Sequence, residues 1–143
     1  MTTNATEATA PAAQRQQLVE VAGIPGYMAT KEGGERSSDP SKVWDGGALD
    51  PETLSAPAET GNITVSKPYR PLVHGPILKT WDRQVGRLRT TIKVWDTDPD
   101  LGPIGEPRIY ANALLVRLAW PEADASSSDA GTFELEFAVG SMA

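Results

Sequence analysis

Two parts of this 143-residue sequence carry residue types that could catalyse a reaction. His74 is the only histidine and could act as a general base, but no nucleophile or orienting carboxylate lies immediately around it along the chain. The serine run 126–128 lacks the flanking glycines of a nucleophile elbow. The sequence therefore predicts no catalytic residue, and we expect His74 either to have a structural role or to lie on the surface.

A third segment, 96–100, has aspartates at alternate positions, as the start of a calcium-binding loop does. If Asp96 is the first position, Leu101 occupies the sixth, where such a loop requires glycine. Pro107 occupies the twelfth, where the loop requires a bidentate acid. These aspartates are therefore predicted to be turn residues, and the sequence predicts neither a metal site nor a cofactor-binding residue.

Composition excludes further kinds of site. The chain has no cysteine, which excludes disulfides, thiolate nucleophiles and cysteine-ligated metals. Its formal net charge of −6 argues against nucleic acid as the main binding partner. The charge is nevertheless uneven, because seven basic residues and one acidic residue lie between Gly61 and Trp95. This uneven charge has two interpretations. The positive segment of one copy attracts the negative remainder of another, or the charged side chains are simply hydrated and bind no partner.

The hydrophobic pattern predicts short strands and one helix. Glycine and proline separate segments in which apolar and polar residues alternate, and no segment reaches the roughly 18 apolar residues of a membrane helix. The predicted strands are 17–22, 26–31, 42–44, 62–67, 87–96, 109–120 and 132–139. Segments 26–31 and 42–44 are expected to form a hairpin with a long loop. The helix is predicted over 76–84, because proline is tolerated in the first turn of a helix but not inside it.

The predicted strands 87–96 and 109–120 are longer than usual, and long strands in a small domain are typical of a barrel wall. In an open sheet, exposed edges of that length would aggregate unless a partner or a second copy of the chain pairs with them. In 109–120, strict alternation predicts Tyr110, Leu114 and Leu118 on one face, with Ala113, Leu115 and Arg117 on the other. The four tryptophans are predicted to be anchors in the core or at interfaces. They are Trp44, Trp81, Trp95 and Trp120.

Two stretches of the chain resemble the tail tube proteins of long-tailed bacteriophages. The middle of those proteins is similar to residues 61–71 (GNITVSKPYRP), the helix that follows and residues 86–94 (GRLRTTIKV). Their last hairpin is similar to the loop 121–125 (PEADA) that leads into 133–137 (FELEF). The resemblance implies a mainly β fold, a β-sandwich or barrel-like tail tube fold with one short flanking helix. Residues 1–15 have no large apolar side chain after Met1, so we expect them to form an extended N-terminal arm before a single domain, 16–143.

The same resemblance implies a structural subunit and not an enzyme. Six copies would join their sheets into a ring with a β-barrel lumen, and stacked rings would conduct DNA from the capsid to the host. Implied partners are a tape measure protein, a tail terminator, distal tail or baseplate proteins and, as in contractile injection systems, a sheath. The protein would assemble in the host cytoplasm and reside in the virion tail. The alternative is a non-enzymatic β-barrel binding module, or another virion component such as a tail terminator or head–tail connector.

Two sets of charged residues suit such a tube. Acids facing the lumen would repel the phosphates of passing DNA and prevent it from binding. The candidate lumen-facing acids are Asp45, Asp96, Glu134 and Glu136. The candidate contacts between rings or between subunits are Arg15, Glu32, Glu35, Arg36, Asp39, Arg87, Arg89, Lys93 and Trp95.

Overall fold

A computed structural model describes residues 10–47 and 49–140, and its main feature is one six-stranded antiparallel sheet. The strands are β1 Gln17–Val21, β2 Thr30–Gly33, β3 Arg36–Ser37, β4 Ser41–Val43, β5 Glu52–Leu54, β6 Glu59–Thr60, β7 Ile63–Pro68, β8 Arg89–Asp96, β9 Arg108–Ala119 and β10 Thr132–Ala138. The helix in the described residues is α1, Pro71–Asp82. The order in the sheet is β1-β8-β9-β10-β7-β2.

The sheet curls into a half-barrel, so its two edge strands approach each other. The backbone N–H of Met28 donates to the carbonyl of Val19, 2.7 Å away, and this single bridge links β1 to the chain just before β2. The mainly β, barrel-like fold with one short helix is therefore confirmed. Closure of this kind protects edge strands from unwanted pairing.

The core lies between one face of this sheet and α1. Along β10, Phe133, Leu135 and Phe137 are fully buried, whereas Glu134 and Glu136 between them are half-buried. This alternation is the one that the sequence predicts for 132–139. From α1, the side chains of His74, Leu78 and Trp81 close the core.

The helix differs from its prediction because it contains the proline that was expected to begin it. Pro71 occupies the first turn, α1 ends at Asp82, and Pro76 lies inside. Pro76 cannot donate a backbone hydrogen bond to the carbonyl of Leu72, but Leu72 is 96% exposed, so that carbonyl stands at a solvated surface. Gly75 precedes the proline, and its lack of a Cβ relieves the usual steric clash before proline. Packing of Leu78 and Trp81 outweighs the lost hydrogen bond.

In β9 the predicted faces are wrong from Ala113 to Leu115, because a first bulge inverts the phase of the strand and a second restores it before Arg117 and Leu118. Between Tyr110 and Ala113, β9 has three steps where β8 has two, and Asn112 adopts a left-handed φ of 54°. A second extra residue lies between Leu115 and Arg117, opposite one step of β10. The core-facing set is therefore Tyr110, Ala113, Leu115 and Leu118. A bulge inverts the face of every following residue until the next one.

The chain between β2 and β7 forms a two-stranded projection from the sheet. β3 pairs with β6, and β4 pairs with β5. The hairpin predicted between 26–31 and 42–44 is therefore wrong: β2 pairs with β7, and β4 pairs with β5, which begins nine residues after β4 ends. Strands of two or three residues carry too little alternation to be recognised from sequence.

Most of the predicted N-terminal arm, residues 1–9 of 1–15, lies outside the described residues. Its described part, 10–15, is exposed. Among the described residues, no helix is long and apolar enough to span a membrane.

We expect Gly33→Ala to destabilise the protein by at least about 2 kcal/mol more than Gly47→Ala. Both glycines have a left-handed φ, 85° and 87°, so both substitutions carry a similar backbone strain. A Cβ on Gly33 would overlap the carbonyl oxygen of Asn62, whereas one on Gly47 would meet no atom within 4 Å. Urea unfolding of the two variants measures the difference, and equal losses would contradict the close approach of β2 to β7.

Candidate assembly surfaces

The face of the sheet opposite the core carries a charged cluster that joins β9 to β10. Arg117 lies 3.3 Å from an oxygen of Glu134 and 3.5 Å from an oxygen of Glu136. The side-chain amide of Asn62 donates to the second oxygen of Glu136, at 3.1 Å. All three charged side chains are 29–47% exposed. Two candidate lumen-facing acids thus share one face and one counter-charge.

The other two candidate acids lie elsewhere. Asp96 ends β8 on the side of Ile92 and Val94, which is the core-facing side, and it is 3.4 Å from Arg108. Asp45 follows β4 in the exposed turn of the projection. Neither is next to Glu134 or Glu136 in the sheet register. The structure therefore places one of the two pairs proposed from sequence on a single strand face and the members of the other pair in different parts of the fold.

The first group of candidate contact residues surrounds β2 and the base of the projection. Glu32 is in the edge strand β2, Glu35 follows it, and Arg36 begins β3. The carbonyl of Glu35 accepts the backbone N–H of Gly61 at 2.8 Å, which fixes this base. Arg15 and Asp39 are exposed, before β1 and between β3 and β4.

The second group lies on and before β8. Lys93 is opposite Glu20 of the edge strand β1, and Trp95 is opposite Leu18. Arg87 donates to the carbonyl of Arg83 at 2.8 Å. Arg89 lies 3.4 Å from the carbonyl of Asn112. The alternation of β8 places Arg89, Lys93 and Trp95 on the same open face as the cluster around Arg117.

Sequence reasoning missed two features of these surfaces. Arg117 lies on the face opposite Tyr110 and Leu118, as predicted, but its position beside Glu134 and Glu136 depends on a strand register that an alternating pattern does not reveal. The projection presents several exposed apolar side chains, of which Trp44 is 65% and Leu49 93% exposed. The apolar residues Trp44 and Leu49 are visible in the sequence. Their sequence neighbours do not show whether such residues lie in the core or on an exposed surface that could form an interface.

His74 is a core residue of α1. Its side chain is buried against Phe133, with 5.0 Å between the ring centroids. Its Nδ1 accepts the backbone N–H of Arg70 at 3.1 Å, so the neutral ring caps the start of the helix. Burial, together with the nearby charges of Lys67 and Arg70, holds the pKa of His74 below its ordinary value. The predicted structural role is confirmed, and this ring has no access to a substrate.

We expect the protein to lose stability as the pH falls below about 6.5, in part through His74. Because the folded state lowers the pKa of this ring, the unfolded state binds more protons below that pH, and stability rises with increasing pH. One proton gives a slope of at most about 1.4 kcal/mol per pH unit. Urea unfolding between pH 7 and 5 should show a shallower slope in His74→Asn. The same slope in both proteins would contradict a neutral buried ring.

Asp98 and Asp100 lie in the turn that follows β8, as predicted, whereas Asp96 is the last residue of β8 and not a turn residue. One oxygen of Asp98 accepts the backbone N–H groups of Asp100 and Gly102, at 2.9 and 2.8 Å. Among the described residues, no three histidine, cysteine or acidic side chains come close enough together to hold a metal ion.

Comparisons with known proteins give likenesses of fold and not of sequence. No protein-family model matches the chain, and no curated protein matches it significantly. One similar structure is a chain of the PVC sheath–tube complex, from an extracellular contractile injection system in its extended state. The two chains are 18% identical with a TM-score of 0.78, over 99% of this chain and 97% of that one. A chain of the PVC sheath/tube terminator is 20% identical, over 94% and 96%, with a TM-score of 0.76.

A third likeness is to a chain of the baseplate of the anti-feeding prophage, 18% identical over 94% of this chain and 95% of that one, with a TM-score of 0.72. In each case the likeness covers nearly the whole of both chains. The chain therefore has the fold found in the tube assemblies of contractile injection systems, and its resemblance to the tail tube family is confirmed at the level of the fold.

Proposed function

We propose that the protein is a structural subunit of a phage-like tail tube, whose copies form stacked, six-membered rings around a lumen that conducts DNA. The observation that carries this proposal is the curled sheet with one face packed on α1 and the other face open, in a fold that matches tube-assembly chains over nearly their whole length. A sheet with one unpartnered polar face suits the wall of a conduit. We assign it no enzymatic activity.

The open face supplies the lumen in this proposal. Glu134 and Glu136 lie on it, and Arg117 only partly compensates their charge. Along β10 this local excess of negative charge would repel DNA phosphates and oppose retention of the passing genome. Arg89 and Lys93 lie on the same face but on β8, and we assign them to contacts between copies. Asp45 and Asp96 stay candidates for acids at the rims of the lumen, because they lie outside this face.

Contacts between copies would come from the edges and the projection. We assign contacts to the sheet edge at Glu32, to the projection with Glu35, Arg36 and Asp39, and to the arm that begins before Arg15. Arg89, Lys93 and Trp95 of β8, which is one strand from the sheet edge β1, would contact a neighbouring copy. The exposed Trp44 and Leu49 at the tip of the projection would be buried by a second copy.

Other components of such a machine are proposed as partners. A sheath, a terminator and a baseplate occur in the assemblies whose chains share this fold. We extend the proposal to a tape measure protein inside the tube and to distal tail proteins. The site of action would be the tail of a virion or virion-like particle, assembled in the host cytoplasm.

Electron microscopy of the purified chain across a concentration series tests the proposal, with light scattering on the same samples. We expect hollow rings or tubes of uniform diameter that become more abundant with concentration. A monodisperse monomer at every concentration, after long incubation, would overturn it.

The likeness to a sheath/tube terminator chain favours a second candidate, a terminator that closes the end of a tube. A terminator and a tube subunit differ in stacking, because only the tube subunit must bind a copy of itself on both ring faces. Single rings that never stack at high concentration would support the terminator.

A further inference from the structure

We propose that a basic surface at the C-terminal end of α1 binds the acidic loop 121–131 of a second copy of this chain. The inference rests on the proposed function and deepens it by naming the two surfaces through which copies associate.

The basic surface consists of Lys79, Arg83 and Arg87. Lys79 is in the last turn of α1, Arg83 caps it, and the bond from Arg87 to the carbonyl of Arg83 holds those two residues together. All three are exposed, and none takes part in an ion pair among the described residues. Asp82 is the only acid from Lys79 to Arg87, so the surface has a clear positive excess.

The acidic loop follows β9 and contains no basic residue. Its acids Glu122, Asp124 and Asp129 line a cleft of about 470 Å³. The carboxylate of Asp124 accepts the backbone N–H and the hydroxyl of Ser126, at 3.0 and 2.8 Å, which forms a local turn within the loop. Those hydrogen bonds also lower the pKa of Asp124, which keeps this carboxyl ionised.

One side of the same cleft is formed by Trp120, whose side chain is 38% exposed. An indole beside carboxylates suits a guanidinium, which can stack on the ring and donate to the acids at the same time. The volume is large enough for an arginine side chain. The basic surface offers two arginines, Arg83 and Arg87, and therefore fits this cleft better than a surface of lysines would.

The two surfaces lie at opposite ends of α1. The backbone N–H of Tyr69 donates to the carbonyl of Gly131 at 2.8 Å, which fixes the acidic loop beside the start of the helix. At the other end, the N–H of Gly86 donates to Leu115 at 2.7 Å. A helix of 12 residues is about 18 Å long, so one molecule cannot pair its own two surfaces. Two copies can, head to tail, and such a contact repeats from copy to copy.

Charge reversal with rescue tests this contact. The basic-reversed variant carries Arg83→Glu and Arg87→Glu, and the acid-reversed variant carries Glu122→Lys and Asp129→Lys. Each should raise the concentration at which assembly begins by at least tenfold, because like charges now face each other. An equimolar mixture should recover assembly, since each reversed surface then meets its complement. Raising the salt concentration should weaken assembly of the unaltered chain.

The matched control carries Asp100→Lys and Glu106→Lys, the same charge change on another exposed loop. It should assemble normally and should not rescue the basic-reversed variant. Assembly of both reversed variants at the ordinary concentration would overturn the contact while leaving the tube proposal standing. Failure of the mixture to recover, with both variants folded by circular dichroism, would also overturn it. Failure of the unaltered chain to assemble would instead count against the proposed function.

Discussion

Replacing Phe133 by alanine is expected to lower the free energy of unfolding by about 3–5 kcal/mol, the usual cost of removing a fully buried phenylalanine. Phe133 has no exposed surface, and its ring contacts His74 and Tyr69, with centroid distances of 5.0 and 6.4 Å. It therefore joins β10 to the start of α1. The resulting cavity would lie between sheet and helix, where neither can collapse without moving the other.

Chemical denaturation monitored by circular dichroism measures this loss. Leu72→Ala is the control, because Leu72 is on the same helix but 96% exposed, and its replacement should change stability by less than about 0.5 kcal/mol. Similar effects of the two substitutions would contradict the packing of α1 on β10.

The second large effect is expected at the open face. Replacing Glu134 and Glu136 by lysine changes the net charge of these two residues and Arg117 from −1 to +3 in each copy. If this face lines the lumen, assembled tubes should bind DNA, which the unaltered tubes should not. For 6–10 phosphate contacts, affinity should fall by about 10³–10⁵ between 50 and 200 mM salt.

Filter binding of short duplex DNA to assembled material gives the measurement. The variant with Asp100→Lys and Glu106→Lys has the same overall charge and separates a local effect from a general one. DNA retention by that control alone, or by both variants equally, would show that Glu134 and Glu136 do not face the lumen.

Which residues of an element are buried was predictable wherever the spacing of apolar residues within that one strand or helix is sufficient to tell. The alternation of β10 gave the correct buried residues, since period-two patterning needs no knowledge of neighbouring strands. It also placed Glu134 and Glu136 on one face, because residues two apart in a strand share a face. The absence of cysteine, and of a motif around His74, was likewise visible in the sequence alone.

Errors arose where a neighbouring element determines the local geometry. The helix runs through Pro76 because Leu78 and Trp81 have a core to pack against. The phase of β9 changes at Asn112 and again before Arg117, at bulges that the register with β8 and β10 imposes. Strand pairing over the projection was unpredictable for the same reason, because its strands are short and their partners are distant.

The sequence by itself determined that the chain is rich in strands, which alternating residues of β10 are buried, and that charge is unevenly distributed along it. Only the tertiary structure determined that Arg117 lies between Glu134 and Glu136, that Met28 bridges to Val19, and that the basic surface and the acidic loop lie at opposite ends of α1. Periodicity is a property of neighbours in the chain, whereas register, curl and polarity depend on residues that are distant in sequence and meet only in the folded protein.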